Sequence, residues 1–199
     1  MERLERAAAA RLGSPTGPVR LAAWRSSKPV YGTTNNPWDL LRTPGGSSGG
    51  SAAALAAGLT GLEMGSDIGA SIRDPAHFCG VYGHKPTWGI CSTRGHSLPG
   101  VVLPVDITAI GPLGRSAEDL ALALGITAGP DQVDASGWQL KLEKPKLASF
   151  RKLRVAVMLS HPTAEVDATV SGAIQRLAQA LAKKGAKVSD TARPAFEPE

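Results

Sequence analysis

Residues 43 to 80, TPGGSSGGSAAALAAGLTGLEMGSDIGASIRDPAHFCG, constrain this chain more than any other stretch, because they hold two glycine- and serine-bearing turns that bulkier residues could not follow. The first, Gly45-Gly46-Ser47-Ser48-Gly49-Gly50, comes after Pro44 and opens onto the alanine-rich run from Ser51 to Gly58. Amides in such a turn feed a helix N-terminus and make a seat for negative charge. The second, Ser66-Asp67-Ile68-Gly69-Ala70-Ser71, follows the apolar stretch from Leu59 to Met64 and precedes Ile72-Arg73-Asp74-Pro75. It reads as a strand, a turn and a short helix, with Ser71 where consecutive amides can converge on one oxygen.

Glycine turns invite rival readings, and each meets a chemical objection. Gly45 to Gly50 satisfies GxxxxG, yet Ser51-Ala52 follows where a phosphate loop needs Lys and then Ser or Thr. Gly45 to Gly49 satisfies G-x-S-x-G, but a nucleophile elbow follows a buried strand, which Leu41-Arg42-Thr43-Pro44 does not supply. Ser149 to Lys152 fits S-x-x-K with no partner motif. Read alone, GGSSGG is a flexible turn before a helix. The second serine turn, with Ser71 placed 24 positions after Ser47, shifts the balance towards a site.

That pair of turns, continued by Pro75-Ala76, Phe78-Cys79-Gly80 and Gly83-His84-Lys85-Pro86-Thr87, resembles the amidase signature family, more loosely from about Arg3 to the C-terminus. The resemblance implies an α/β protein, part of the amidase-signature fold, with a mixed β-sheet flanked by helices. It implies a hydrolase of carbon–nitrogen amide bonds, with Ser71 as nucleophile and Ser47 as a bridging serine held by a cis peptide. The amides of Ile68, Gly69, Ala70 and Ser71 would form the oxyanion hole, with Asp67, Arg73 and Ser48 as supporting residues. Asp67 and Arg73 are expected to pair, and the Ser47 and Ser71 hydroxyls to lie near hydrogen-bonding distance. In the family a lysine general base completes the set, and it has no counterpart in this chain. Lys85 falls in a family GxKPT segment outside the triad, and Lys28 in a loop between Ser27 and Pro29. The chain departs from the family at Ala70, usually glycine, where a positive φ would cost about 1–2 kcal/mol. It departs again at Gly13 to Pro18, where the family has a GKTN-type turn. No cofactor or metal is implied.

At 199 residues the chain can bury roughly 70% of its unfolded surface, enough for one core with an appended unit. The net charge of +5 is dispersed, apart from clusters at 141–154 and at Lys183, Lys184 and Lys187, which read as solvated faces. Cys79 and Cys91 lack zinc-site spacing and fit a reducing cytoplasm. MERLERAAAARL has no apolar core of signal-peptide type, and no run of 18 apolar residues occurs. The expected protein is cytoplasmic, with a small-molecule amide as substrate, no direct nucleic-acid or membrane contact, and a tendency to associate through exposed truncated edges.

The rest of the chain reads as scaffold. Residues 1–129 are expected to form the core segment, 130–152 a connector, and 153–199 a β-α-β unit. Helix formers run from residue 2 to 12, and Val19 to Trp24 suggests a strand. Tyr31 to Asp39 is turn chemistry, expected as an ordered loop: taken alone it reads as a surface connection, and the resemblance implies packing against the active-site turn. Arg94 and His96 lie in a loop and are candidate substrate contacts, although a lone histidine in such a place is more often a satisfied surface residue. Ser116 with Glu118 and Asp119 marks the start of a helix ending at Gly129, expected in the core through Leu120, Leu122, Leu124 and Ile126. Leu153 to Leu159 alternates as a strand, and Val166, Val170, Ile174, Leu177 and Leu181 fall at helical spacing before Gly185. Two functional classes remain open: an amide hydrolase, and a non-catalytic amidase-like fragment or part of an amidotransferase of the A type.

Overall fold

The computed structural model describes residues 2–7, 26–28, 32–96, 105–143, 149–193 and 195. The chain divides into two compact units, Met1–Lys141 and Leu142–Glu199, the boundary falling within the stretch read as a connector.

In the first unit, helix α1 (Glu2–Arg6) and hairpin strands β1 (Ser27–Lys28) and β2 (Gly32–Thr33) precede helix α2 (Gly49–Ala56). Strand β3 (Leu62–Asp67), helix α3 (Arg73–Cys79), strands β4 (Tyr82–Gly83) and β5 (Ala109–Gly114) and helix α4 (Ala117–Thr127) follow. The sheet has the order β3-β5-β4 and is antiparallel throughout, with Leu62 opposite Gly114 and Asp67 opposite Ala109. Its core is small and dense: Ala52 and Leu55 from α2, Ile72, Ala76 and Cys79 in and before α3, and Leu113 from β5.

The central strand β5 carries Gly111 and Pro112, residues that argue against a central strand, and the sequence pattern assigns none there. Both are accommodated by close packing. Pro112 lacks an N–H but its carbonyl accepts the His84 amide at 3.0 Å. A β-carbon on Gly111 would lie 2.1 Å from the His84 carbonyl oxygen, so only glycine lets the chains approach this closely. Gly65 is a second such contact, its missing β-carbon giving room to the Ser48 hydroxyl, which would otherwise lie 2.5 Å away.

Helix α4 is capped as expected, the Ser116 hydroxyl accepting the Asp119 amide at 3.0 Å. It is not a core helix, however: Ala123 is its one buried residue and Leu122 is 64% exposed. Leu120, Leu122, Leu124 and Ile126 are spaced by two, and on a helix with 3.6 residues per turn that spacing distributes them around the axis instead of along a face. Helix α1 is described over Glu2–Arg6; residues 8–12 of the expected helix and the expected strand from Val19 to Trp24 lie outside the described residues. Arg3 fastens α1 to the end of α4, donating to the carbonyls of Ala128 at 2.6 Å and Pro130 at 2.8 Å.

The second unit is a β-α-β arrangement: β6 (Arg154–Ala156) and β7 (Lys187–Ser189) pair in parallel, linked by α5 (Ala168–Lys183). Asp167 caps α5 by accepting the Thr169 amide at 2.8 Å, and Gly185 ends it with φ +94°. Its apolar stripe stays open, with Ile174 at 37% and Leu177 at 60% exposed. Among the described residues no helix is long and apolar enough to cross a membrane.

Candidate active site

The first serine turn is built from several anchors. Pro44, Gly45 and Gly46 are buried, Gly45 adopts φ +77°, and the Gly46–Ser47 peptide bond is cis. The Ser26 hydroxyl donates to the Gly45 carbonyl at 3.2 Å, and the Gly45 amide donates to the Thr43 hydroxyl at 3.1 Å. Ser47 is 4% exposed, and Ser48 occupies the N-cap position of α2 without a side-chain capping bond. The loop at 34–42 is tied to the end of α3: Asn36 Nδ2 donates to the Phe78 carbonyl at 2.9 Å and Trp38 Nε1 to the Cys79 carbonyl at 2.7 Å.

The second turn runs from the end of β3 to the start of α3, so Ser71, 7% exposed, sits at a strand-to-helix junction. The two turns are joined through backbone: the Ser48 amide donates to the Ser71 carbonyl at 3.1 Å. Among the described residues the Ser47 and Ser71 hydroxyls form no hydrogen bond to each other.

Asp67 shapes the turn from beneath. Its side chain is fully buried and its carboxylate accepts from the amides of Ala70 at 2.9 Å, Ile72 at 3.1 Å and Arg73 at 3.2 Å. Arg73 Nε and Nη2 add two bonds at 3.0 Å each, so the expected ion pair is present. Burial alone raises the Asp67 pKa, but the Arg73 guanidinium and the three amides outweigh it and bring it from 3.8 down to about 2. This geometry corrects one part of the expected oxyanion hole: the Ala70 amide is turned onto Asp67 Oδ1. Ala70 itself holds φ +81°, a conformation in which a β-carbon is strained.

Lys85 contributes to this turn although its motif lies outside the triad. Its Nζ donates to the Ile107 carbonyl at 2.9 Å and reaches the Ile68 carbonyl at 3.5 Å and Asp67 Oδ1 at 3.7 Å, and the side chain is 21% exposed. The GHKPT match identified the residue; the contacts come from the chain path through β5, which sequence pattern did not reveal. Arg94 and His96 are engaged with protein groups: Arg94 Nε with Asp131 at 2.6 Å, His96 Nε2 with the Ser66 hydroxyl at 2.8 Å.

Known proteins resemble this chain in sequence and fold. The family description "Amidase" matches residues 1–198. The chain is 43% identical over 162 residues to the A-type chain of the glutamyl-tRNA(Gln) amidotransferase of Saccharolobus solfataricus, covering 81% of this chain and 33% of that protein. It is 41% identical over 172 residues to the protein of the same name from Synechococcus elongatus, covering 84% and 34%. Among solved structures it superposes on the corresponding glutamyl-tRNA(Gln) amidotransferase chain of Thermotoga maritima with a TM-score of 0.81 at 32% identity, covering 94% of this chain and 41% of that one. A 6-aminohexanoate cyclic dimer hydrolase gives 0.79 at 31% identity, covering 96% and 40%. The chain spans about a third of the length of the curated relatives it matches. With a family match across nearly its whole length and a superposable α/β fold, the chain belongs to the amidase family.

Proposed function

We propose that this chain carries the nucleophile-bearing part of an amidase-type hydrolase that cuts carbon–nitrogen amide bonds through an ester on Ser71. The Ser71 Oγ bonds to the amide carbonyl carbon while its proton passes to Ser47 Oγ and the Ser47 proton passes to a general base. The carbonyl oxygen becomes an oxyanion facing the amides of Ile68, Gly69 and Ser71. Collapse breaks the C–N bond, the relay returns a proton to the departing amine, and water then hydrolyses the acyl–Ser71 ester. Catalytic hydrogen bonds commonly tighten only with substrate in place, so the relay between Ser47 and Ser71 forms on binding.

The observation that carries this reading is two buried serines on turns joined by the Ser48–Ser71 backbone bond, with Ser71 between strand and helix. The general base is a lysine outside these 199 residues, since Lys85 is committed to the Ile107 carbonyl and to the Asp67 side of the turn. The reading takes a small-molecule amide as substrate, uses no cofactor, and fits a cytoplasmic protein with free thiols at Cys79 and Cys91. A second reading, part of the A-type chain of a glutamyl-tRNA(Gln) amidotransferase, is favoured by the names of the relatives.

The test is to assay the chain on small aryl and aliphatic amides, alone and fused to the upstream lysine-bearing segment of a relative. No turnover is expected from the chain alone, and turnover that vanishes with Ser71→Ala is expected from the fusion. Hydrolysis that survives Ser71→Ala refutes the nucleophile assignment. Turnover by the unfused chain refutes the external base and directs mutation to Lys85 and Lys28, and an inactive fusion supports a non-catalytic fragment.

A further inference from the structure

The reaction as proposed leaves Lys85 without a part, although its side chain meets the turn that would hold the oxyanion. A lysine ammonium has three donors, and three oxygens stand around this one: the Ile107 carbonyl at 2.9 Å, the Ile68 carbonyl at 3.5 Å and Asp67 Oδ1 at 3.7 Å. The chain beside it is fixed, since the His84 amide donates to the Pro112 carbonyl of β5 at 3.0 Å. Lys85 therefore ties the turn after β3 to the approach to β5, at the end of the ladder where Asp67 lies opposite Ala109. Ile107 holds φ +55°, costly for a β-branched residue, and backbone in that state persists only where its surroundings impose it.

The Ile68–Gly69 peptide is what this contact controls. It is planar and trans, so the Gly69 N–H points opposite to the Ile68 carbonyl, and a group that holds the carbonyl aims the amide. Side-chain packing does little to fix it: Ile68 is 48% exposed, and a β-carbon on Gly69 would meet nothing within 4 Å. Glycine accepts either sign of φ, so rotation of this peptide meets little steric resistance. Beyond Gly69, the Ala70 amide is already bound to Asp67 Oδ1 at 2.9 Å. On the near side the Ile68 carbonyl is the handle, and Lys85 Nζ meets it.

We propose that Lys85 is a positioning residue of the amide-cleaving site: by holding the Ile68 carbonyl it aims the Gly69 amide at the oxygen that becomes the oxyanion. Lys85 acts through the backbone and takes no proton from Ser71. The inference rests on the assignment of Ser71 as nucleophile.

Phenylboronic acid tests it without turnover. The Ser71 Oγ bonds to boron, the hydroxyl proton goes to solvent, and boron becomes a tetrahedral anion in the place of the oxyanion. Binding to the 199-residue protein is measured by calorimetry, with boron NMR reporting the tetrahedral adduct and proton–nitrogen NMR following the Gly69 amide. In the parent protein the Gly69 amide proton is expected to move downfield as the adduct forms. Lys85→Met, which keeps the stem and removes the donors, is expected to weaken binding about tenfold and to abolish that movement. Lys85→Arg, which restores donors, is expected to return affinity to within about threefold of the parent. Lys85→Gln is the second variant should Lys85→Met fail to fold, and unfolding of both makes Lys85 a stability residue and overturns the positioning role. Affinity within about twofold of the parent in a folded donor-free variant, or weaker binding with the Gly69 movement intact, overturns the role of Lys85 alone. Absence of a tetrahedral adduct in the parent, or binding unaffected by Ser71→Ala, overturns the nucleophile assignment and the positioning role with it.

Discussion

Replacing Asp67 by Asn should destabilise the protein more than any other isosteric change in the second turn. The carboxylate is fully buried and accepts three backbone amides and two guanidinium bonds. Its pKa falls from 3.8 to about 2 despite the opposing effect of burial, and nearly two units at about 1.4 kcal/mol each give roughly 2–3 kcal/mol favouring the folded, ionised form. Asn keeps one acceptor but turns an NH2 group towards donors, which adds the cost of unmatched buried groups, about 1–3 kcal/mol. The expected loss is about 3–5 kcal/mol by urea unfolding at pH 7. Arg73→Ala should cost only about 1–2 kcal/mol, because the Arg73 side chain is 53% exposed while Asp67 retains its amides. The double variant should lose less than the sum of the singles. Since the folded pKa lies below the unfolded one, this stabilisation is complete above about pH 4 and fades as the pH falls towards 2; Asp67→Asn should flatten the stability curve across that window. An Asp67→Asn loss below 1 kcal/mol, or an equal loss for Arg73→Ala, refutes the reasoning.

Other perturbations read other parts of the same frame. Ala70→Gly should raise the melting temperature slightly, because relief of the strain at φ +81°, about 1–2 kcal/mol, exceeds the added chain entropy of glycine, about 0.4–1 kcal/mol; a lower melting temperature contradicts this. Gly111→Ala should destabilise severely, since its β-carbon would meet the His84 carbonyl oxygen at 2.1 Å, whereas Gly125→Ala, in an open part of α4, should stabilise by about 0.5–1 kcal/mol. Denaturant melts of the pair check both. Burial, reinforced by the charge of Asp74, pushes the Cys79 thiol up to about 11, so iodoacetamide at pH 8 should alkylate it slowly in the folded protein and rapidly in urea.

The serine turns were legible because their chemistry is local. Glycine where the backbone must turn or approach closely, serine next to it, and an acid–base pair of Asp67 and Arg73 within one turn are all set by neighbours in the chain. The β-α-β unit was legible for the same reason, through helical spacing and the stop at Gly185. What stayed hidden depends on partners far along the chain. Strand β5 hides behind Gly111 and Pro112, whose tolerance comes from His84 and the other strands rather than from any β-propensity of their own. The open face of α4 follows from spacing by two, which a count of leucines conceals. The turning of the Ala70 amide onto Asp67 required the φ of +81°, a backbone angle that residue identity alone does not give.

These placements separate two requirements that a triad usually meets together. The position of Ser71 is fixed by Asp67 beneath its turn, by the Ser48 amide on its carbonyl, and by Ile72 packed on Leu55 and Leu113, all within residues 48 to 113. None of these contacts involves a group that has to accept the Ser71 proton. A protein can therefore hold a serine and its neighbouring turn in place while the proton acceptor comes from elsewhere. Geometry and basicity then contribute to the rate as separable factors, the first testable by boronate binding and the second by turnover. If Ser71 binds boronate in a chain that turns over no amide, the difference between the two measurements is the contribution of the base.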